Sequence, residues 1–213
     1  VFPPFEFTNE DGDFVGIDVD IINAIAEDQG IDVEIQSLGF DAALLAVQSG
    51  QADGVIAGMS ITDERKQSFD FSEPYFDADV TMAVAKGSDV KSYEDLAGKT
   101  VAVKTATNGA DFAKSIADEY GFTVVEFKDS PTMYQDVIAG NTAACFEDYP
   151  VMAYNIQQGA ELEMPEGATA AGTQYGFAVA KGQNAELLEK FNTGLANIKE
   201  NGKFQEIVDT YTK

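Results

Sequence analysis

With 213 residues, 45% hydrophobic and 23% charged, the chain is an ordinary globular one, long enough for one large domain or two lobes. Thirteen Lys and Arg stand against 37 Asp and Glu, a formal net charge of −24, which argues against binding DNA, RNA or an anionic membrane, since those need clustered cations to displace counterions. One cysteine, Cys145, and no histidine exclude an internal disulfide and a Cys/His metal cluster, and no run approaches the ~20 apolar residues of a membrane span.

A soluble two-lobed chain with no metal and no cofactor, any export signal having been left off, is therefore the expectation. Residues 1–7, with Phe2, Phe5 and Phe7 around Pro3 and Pro4, read as a turn crossing an apolar surface. Residues 18–29 put Ile21, Ile22, Ile25 and Ala26 at helical spacing and stop at Gly30. Residues 31–36 alternate Ile31, Val33 and Ile35, the period of a half-buried strand. Residues 40–48 return to helical spacing, Gly50 ends them, and residues 54–58 form a short apolar strand. That strand delivers residues 58–65, a strand end, a polar turn and a helix start.

A strand over 80–85 and a capped short helix from Ser92 come next. A second series follows: strand 100–104, a turn through Gly109, helix 110–120 closed by Gly121, and strand 122–127. Ser130 reads as a cap with Pro131 in the first turn of a helix to 139, followed by strand 142–146 and a helix opening near Pro150. Strand 173–180 and helices over 185–200 and 203–211 complete the chain. Strands alternating with helices predict parallel sheets covered on both faces. Residues 47–55 can be laid on 137–145 as an internal echo, with chance similarity of two αβ units as the competing reading. The same offset lays Gly58 on Asp148, so each lobe would present the carboxyl end of an equivalent strand, where ligands of open α/β sheets bind.

Arg65 is the lone arginine of an acidic chain, placed at a strand-to-helix turn. Helix N–H groups and a guanidinium fork suit a carboxylate; pairing with Asp63 and Glu64 on the surface is the alternative. An anion site in one lobe and Asp148 in the other complement a zwitterion, and the free amino acid is the obvious small one.

Pro4-Phe5-Glu6-Phe7, Gly16-Ile17-Asp18-Val19-Asp20, Gly58 to Arg65, Asp70-Phe71-Ser72, Asp95-Leu96-Ala97-Gly98-Lys99, Val101-Ala102-Val103-Lys104 and Gln174-Tyr175-Gly176 run in order over nearly the whole chain. Through them the chain resembles the extracytoplasmic solute-binding proteins of polar amino acid ABC transporters, and is most similar to the glutamine-binding kind. The resemblance implies an α/β, type II periplasmic-binding-protein fold, each lobe a mostly parallel sheet flanked by helices. Lobe 1 would hold residues 1–76 and 177–213 and lobe 2 residues 77–176, with hinge segments at about 75–79 and 174–177.

It further implies that Arg65 and backbone groups around Met59 and Ser60 hold the ligand α-carboxylate, while the Gly58 carbonyl, Ser60 and Asp148 hold the α-ammonium. Phe2 and Phe40 match aromatic positions that sandwich the ligand stem, core packing being their other reading. Lys104 would reach a side-chain oxygen and repel a cationic ligand. Thr107 and Asn108 belong to the turn after it, where Ala106 and Asn108 replace the glycines the family tends to use. Glu147 would accept from a side-chain amide or point into solvent. The family's first strand, expected before Val1, is missing from the chain. The implied role is capture of glutamine, or next asparagine or glutamate, by lobe closure and delivery to a membrane ABC permease. A monomer in the periplasm, or tethered to the outer cell face, is expected. A receptor sensing domain and a dehydratase on the same fold are the alternatives; the lack of histidine and of a nucleophile beside a base argues against an enzyme.

Overall fold

The chain passes from one folding unit to another and back. In the computed structural model, which describes residues 2–213, one unit comprises Val1–Asp77 with Gln174–Lys213 and the other Ala78–Thr173.

The first unit opens with strands β1 (Phe7–Thr8) and β2 (Phe14–Val15), paired antiparallel. Helix α1 (Ile17–Gln29) buries Ile17, Ile21, Ile22 and Ile25 along one stripe and stops at Gly30, whose φ of 64° is a conformation glycine adopts freely. Helix α2 (Phe40–Gln48) buries Ala46 and Val47. Between them the expected strand at residues 31–36 does not form. Val33 and Ile35 are 38% and 37% exposed, and no ladder runs along the segment. Alternation prepares a face, but a strand also needs a partner for its N–H and C=O groups. This segment and α2 border a groove of about 740 Å³ lined by Ile22, Val33, Ile35, Phe40, Val55 and Ala57.

The expected strand at residues 54–58 is a single bridge, Val55 to Ala178, and the expected helix start at Arg65 is one 3-10 turn, Arg65–Gln67. Strand β3 (Phe69–Phe71) follows. β4 (Phe76–Ala85) carries the chain into the second unit.

There β5 (Thr100–Lys104), helix α3 (Asn108–Tyr120), β6 (Thr123–Phe127), helix α4 (Ser130–Ile138), β7 (Ala144–Asp148), helix α5 (Tyr149–Gln157) and β8 (Leu162–Glu163) build a sheet in the order β6-β5-β7-β4-β8. β5 is parallel to β6 and β7, and β4 antiparallel to β7. Successive side chains face opposite ways: Val101, Val103, Ala144 and Phe146 pack with α3 on one face, and Ala102 and Cys145 with Met133, Val137 and Met152 on the other. Burying each large apolar side chain contributes about 1.5–3 kcal/mol. Gly109 lets α3 lie on the sheet, since a Cβ there would stand 2.5 Å from the Phe146 carbonyl oxygen. The cap of α4 is Asp129, not Ser130: its carboxylate accepts from the Thr132 N–H at 2.8 Å.

Strand β9 (Thr169–Tyr175) pairs with β4 and returns the chain to the first unit. The expected strand at 173–180 is split at Gly176–Phe177, with β10 (Ala178–Ala180) pairing antiparallel to β3 instead. Helices α6 (Ala185–Glu200) and α7 (Lys203–Thr212) then pack on α1.

Candidate functional site

In the first unit the turn at Gly58 is braced by buried acid. Gly58 has φ 53°, and its N–H donates to Asp18 Oδ2 at 2.7 Å and to the Tyr75 hydroxyl at 3.1 Å. Tyr75 in turn donates to Asp18 Oδ1 at 2.8 Å. Burial pushes the Asp18 carboxyl up to about 6, against the pull of these bonds. Glu6 beside it is pushed up to about 9, by burial first and then by the Asp18 charge. Glu6 therefore keeps its proton at neutral pH, and one hydrogen bond joins the two carboxyls.

Phe2 lies over Gly58, where a Cβ would stand 2.8 Å from its ring, and stacks on Phe5 with centroids 5.3 Å apart. Met59 is 1% exposed among Val47, Val55 and Phe69, so its side chain belongs to the core; its carbonyl accepts from the Gly176 N–H at 3.0 Å. Ser60 forms a bridge with Tyr175. Arg65 donates from Nη1 to the Ser60 carbonyl at 2.9 Å and stands 5.4 Å from the Phe40 ring centroid. The guanidinium is thus held by a backbone oxygen and an aromatic face, while Asp63 pairs with Lys66 at 3.8 Å. Phe40, Ser60 and Arg65 come together; so do Phe2 and Gly58.

In the second unit the candidates gather at the carboxyl ends of β5 and β7, adjacent through the Val103–Phe146 register. Thr107 caps α3, accepting from the Ala110 N–H at 3.2 Å and donating to the Lys104 carbonyl at 2.7 Å. Asn108 donates to Thr173 Oγ1 at 2.9 Å. Asp148, 7% exposed, heads α5. Glu147 is 3% exposed, so it does not point into solvent, and its oxygens are engaged inside this unit. Oε2 accepts from Ser130 at 2.8 Å and from the Tyr134 hydroxyl at 3.1 Å, and Oε1 from the Asp148 N–H at 3.3 Å. Lys104 Nζ donates to Ser130 Oγ at 3.1 Å. Burial, then the Glu147 charge, raises the Tyr134 hydroxyl well above its ordinary range, which keeps it a donor. The same causes raise Cys145, leaving its thiol protonated and a poor nucleophile.

The end of the first unit thus carries a guanidinium over an aromatic ring, and that of the second an ammonium joined to a buried carboxylate through the Ser130 hydroxyl. Among the described residues no His, Cys, Asp and Glu group is arranged to hold a metal. Sequence reasoning missed Asp18, Tyr75, Ser130 and Tyr134 as supports. Asp18 lay within a matching motif, but nothing in the sequence tied it to Tyr75, 57 residues on.

Over residues 1–213 the chain matches the family described as bacterial extracellular solute-binding proteins, family 3. It is 31% identical over 207 residues to the arginine-binding extracellular protein ArtP of Bacillus subtilis (strain 168), covering 97% of this chain and 80% of that protein. Among solved structures, the second substrate binding domain of a putative amino acid ABC transporter from Streptococcus pneumoniae Canada MDR_19A superposes with a TM-score of 0.92 at 48% identity, covering 100% of this chain and 96% of that one. Substrate binding domain 2 of Lactococcus lactis GlnP, in an open conformation, gives 0.91 at 47% identity, covering 100% and 91%. Other relatives are named for binding cystine, histidine and glutamine. The motifs, the two-unit α/β fold and these likenesses agree: the chain belongs to family 3 of the bacterial extracellular solute-binding proteins.

Proposed function

We propose that this protein binds a free polar L-amino acid, glutamine first and asparagine or glutamate next, and passes it to an ABC importer at the outer face of the membrane. The observation that carries the reading is the Arg65 guanidinium, which lies on the Phe40 ring and the Ser60 carbonyl instead of pairing with Asp63 or Glu64. A guanidinium aimed in this way takes a carboxylate in its fork. Arg65 with backbone at Ser60 holds the α-carboxylate in this reading, Asp148 and the Gly58 carbonyl the α-ammonium, Phe40 the aliphatic stem, and Lys104 a side-chain oxygen. The Lys104 charge disfavours arginine and lysine, although relatives named for arginine binding are among those that match. Each charge of the zwitterion has a partner, without which its burial would be costly. Capture proceeds by closure of the two units on the ligand, and the closed shape is what the permease recognises.

The test is isothermal titration of protein stripped of bound ligand by unfolding and refolding, against glutamine, asparagine, glutamate, arginine and histidine, with Arg65→Ala in parallel. One-to-one binding of glutamine is expected, weakened about a hundredfold or more in the variant with its unfolding midpoint unchanged. Preference for arginine would overturn glutamine as the ligand, and silence for all five would overturn the amino acid reading.

A further inference from the structure

Lys104, Ser130 and Glu147 form a continuous chain of hydrogen bonds at the end of the second unit's sheet. The ammonium donates to Ser130 Oγ at 3.1 Å, and that hydroxyl donates to Glu147 Oε2 at 2.8 Å. Ser130 is free for this because Asp129, one residue earlier, caps α4. Glu147 is buried, and its two bonds on Oε2 come from the neutral hydroxyls of Ser130 and Tyr134. The lysine that neutralises it is therefore one hydroxyl away, an ion pair with a serine inserted.

We propose that Glu147, acting through Ser130, cancels the charge of Lys104 and so makes this end of the site select a neutral carboxamide over a carboxylate. The inference rests on the reading that Lys104 meets the ligand's side chain. An isolated ammonium would attract a glutamate side chain over a glutamine one. With a buried carboxylate behind it, the pair still offers a strong N–H donor to a carbonyl oxygen, but an incoming carboxylate meets Glu147 as well as Lys104. Two like charges within several ångströms, away from bulk water, cost enough to set a preference. Asp148 at the next position adds a further negative charge. Asp129 also faces Lys104, but it is exposed and its charge is screened by salt. Glu147 is thus a positioning and charge-setting residue that need not touch the ligand.

The experiment compares glutamine and glutamate affinities, by titration at one pH and salt concentration, for the wild type, Glu147→Gln, Ser130→Ala, Ser130→Thr and Asp129→Asn. The carboxamide of Glu147→Gln keeps an acceptor for Ser130 and Tyr134 while removing the charge. The ratio of the glutamate to the glutamine dissociation constant is expected to fall about tenfold in Glu147→Gln. It should fall less in Ser130→Ala, recover in Ser130→Thr, and stay put in Asp129→Asn, whose new side chain still caps a helix. A structural role alone would weaken both ligands equally and leave the ratio unchanged; that result in Glu147→Gln, or in Ser130→Ala should the first variant not fold, overturns the inference. If the wild type binds none of the amino acids, the functional reading fails first and takes the inference with it, a result distinguishable because it needs no variant.

Discussion

The Arg65 turn and the β7 end are fixed by opposite means. The β7 end is an internal strand of a sheet, with β5 parallel on one side and β4 antiparallel on the other. Every residue of β7 is buried. Its geometry follows from ladder bonds and two apolar faces. The Gly58–Arg65 turn has isolated bridges at Val55 and Ser60 in place of a ladder, and takes its shape from Asp18, Tyr75 and the Arg65–Ser60 bond. A surface can thus be held in shape by packing or by a polar brace, and the two should respond to different insults.

Packing should be the more fragile to truncation. Phe146 is fully buried, with ring centroids of Tyr93 and Phe112 at 5.8 and 5.7 Å. Phe146→Ala is expected to destabilise the second unit by about 3–5 kcal/mol, read by urea unfolding with amide exchange followed in β5 and β7. A loss under about 1 kcal/mol would erase the contrast drawn above.

The brace should instead respond to protons. Folding raises Glu6 from 4.5 to about 9, so between those values the folded state holds a proton that the unfolded chain has released. Its contribution is fully present below about 4.5 and is lost as pH rises through about 9, and that of Asp18 as pH rises through about 6. Glu6→Gln has no such proton to lose. Its stability relative to the wild type should therefore improve from pH 5 to pH 8, by about 1 kcal/mol or more, in paired denaturation curves. A stability of Glu6→Gln relative to the wild type that stays constant or falls as pH rises would count against the brace.

The smallest effect sharpens the comparison inside the second unit, at the turn that leaves β5. Ala106 has φ 59°, a left-handed conformation that costs an alanine roughly 1–2 kcal/mol. Ala106→Gly removes that strain but loosens the unfolded chain, so a net gain of about 0.5 kcal/mol is expected in the unfolding midpoint. A net loss would mean that the methyl group does more than tolerate the turn.

What could be read from sequence was local. The apolar stripe of α1, its stop at Gly30 and the capping box of Ser92 with Asp95 depend on residues within a turn or two of one another, and periodicity reports such things well. Residues 31–36 show the limit, since their alternation was real and no partner strand pairs with them. Asp129 and Ser130 are both good caps, and only packing decides between them. Arg65 was legible as a cation out of place in an acidic chain. The bonds on Glu147 were not, because Ser130 and Tyr134 lie 17 and 13 residues away and reach it by the folding of α4 against the sheet.

The second unit is one unbroken stretch, Ala78–Thr173, set inside the first. In the first unit, Gly194 of α6 lies so close to α1 that a Cβ would stand 2.7 Å from Ile25 Cγ2, and Tyr211 of α7 donates to Asp20 at 2.8 Å. As a ribosome releases the chain, the inserted stretch can collapse on its own residues once β9 has emerged, while α1 must wait for partners made nearly two hundred residues later. Until then the Ile17, Ile21 and Ile25 stripe of α1 lacks the two C-terminal helices it packs on, so the first unit completes its core only when the last residues of the chain are made.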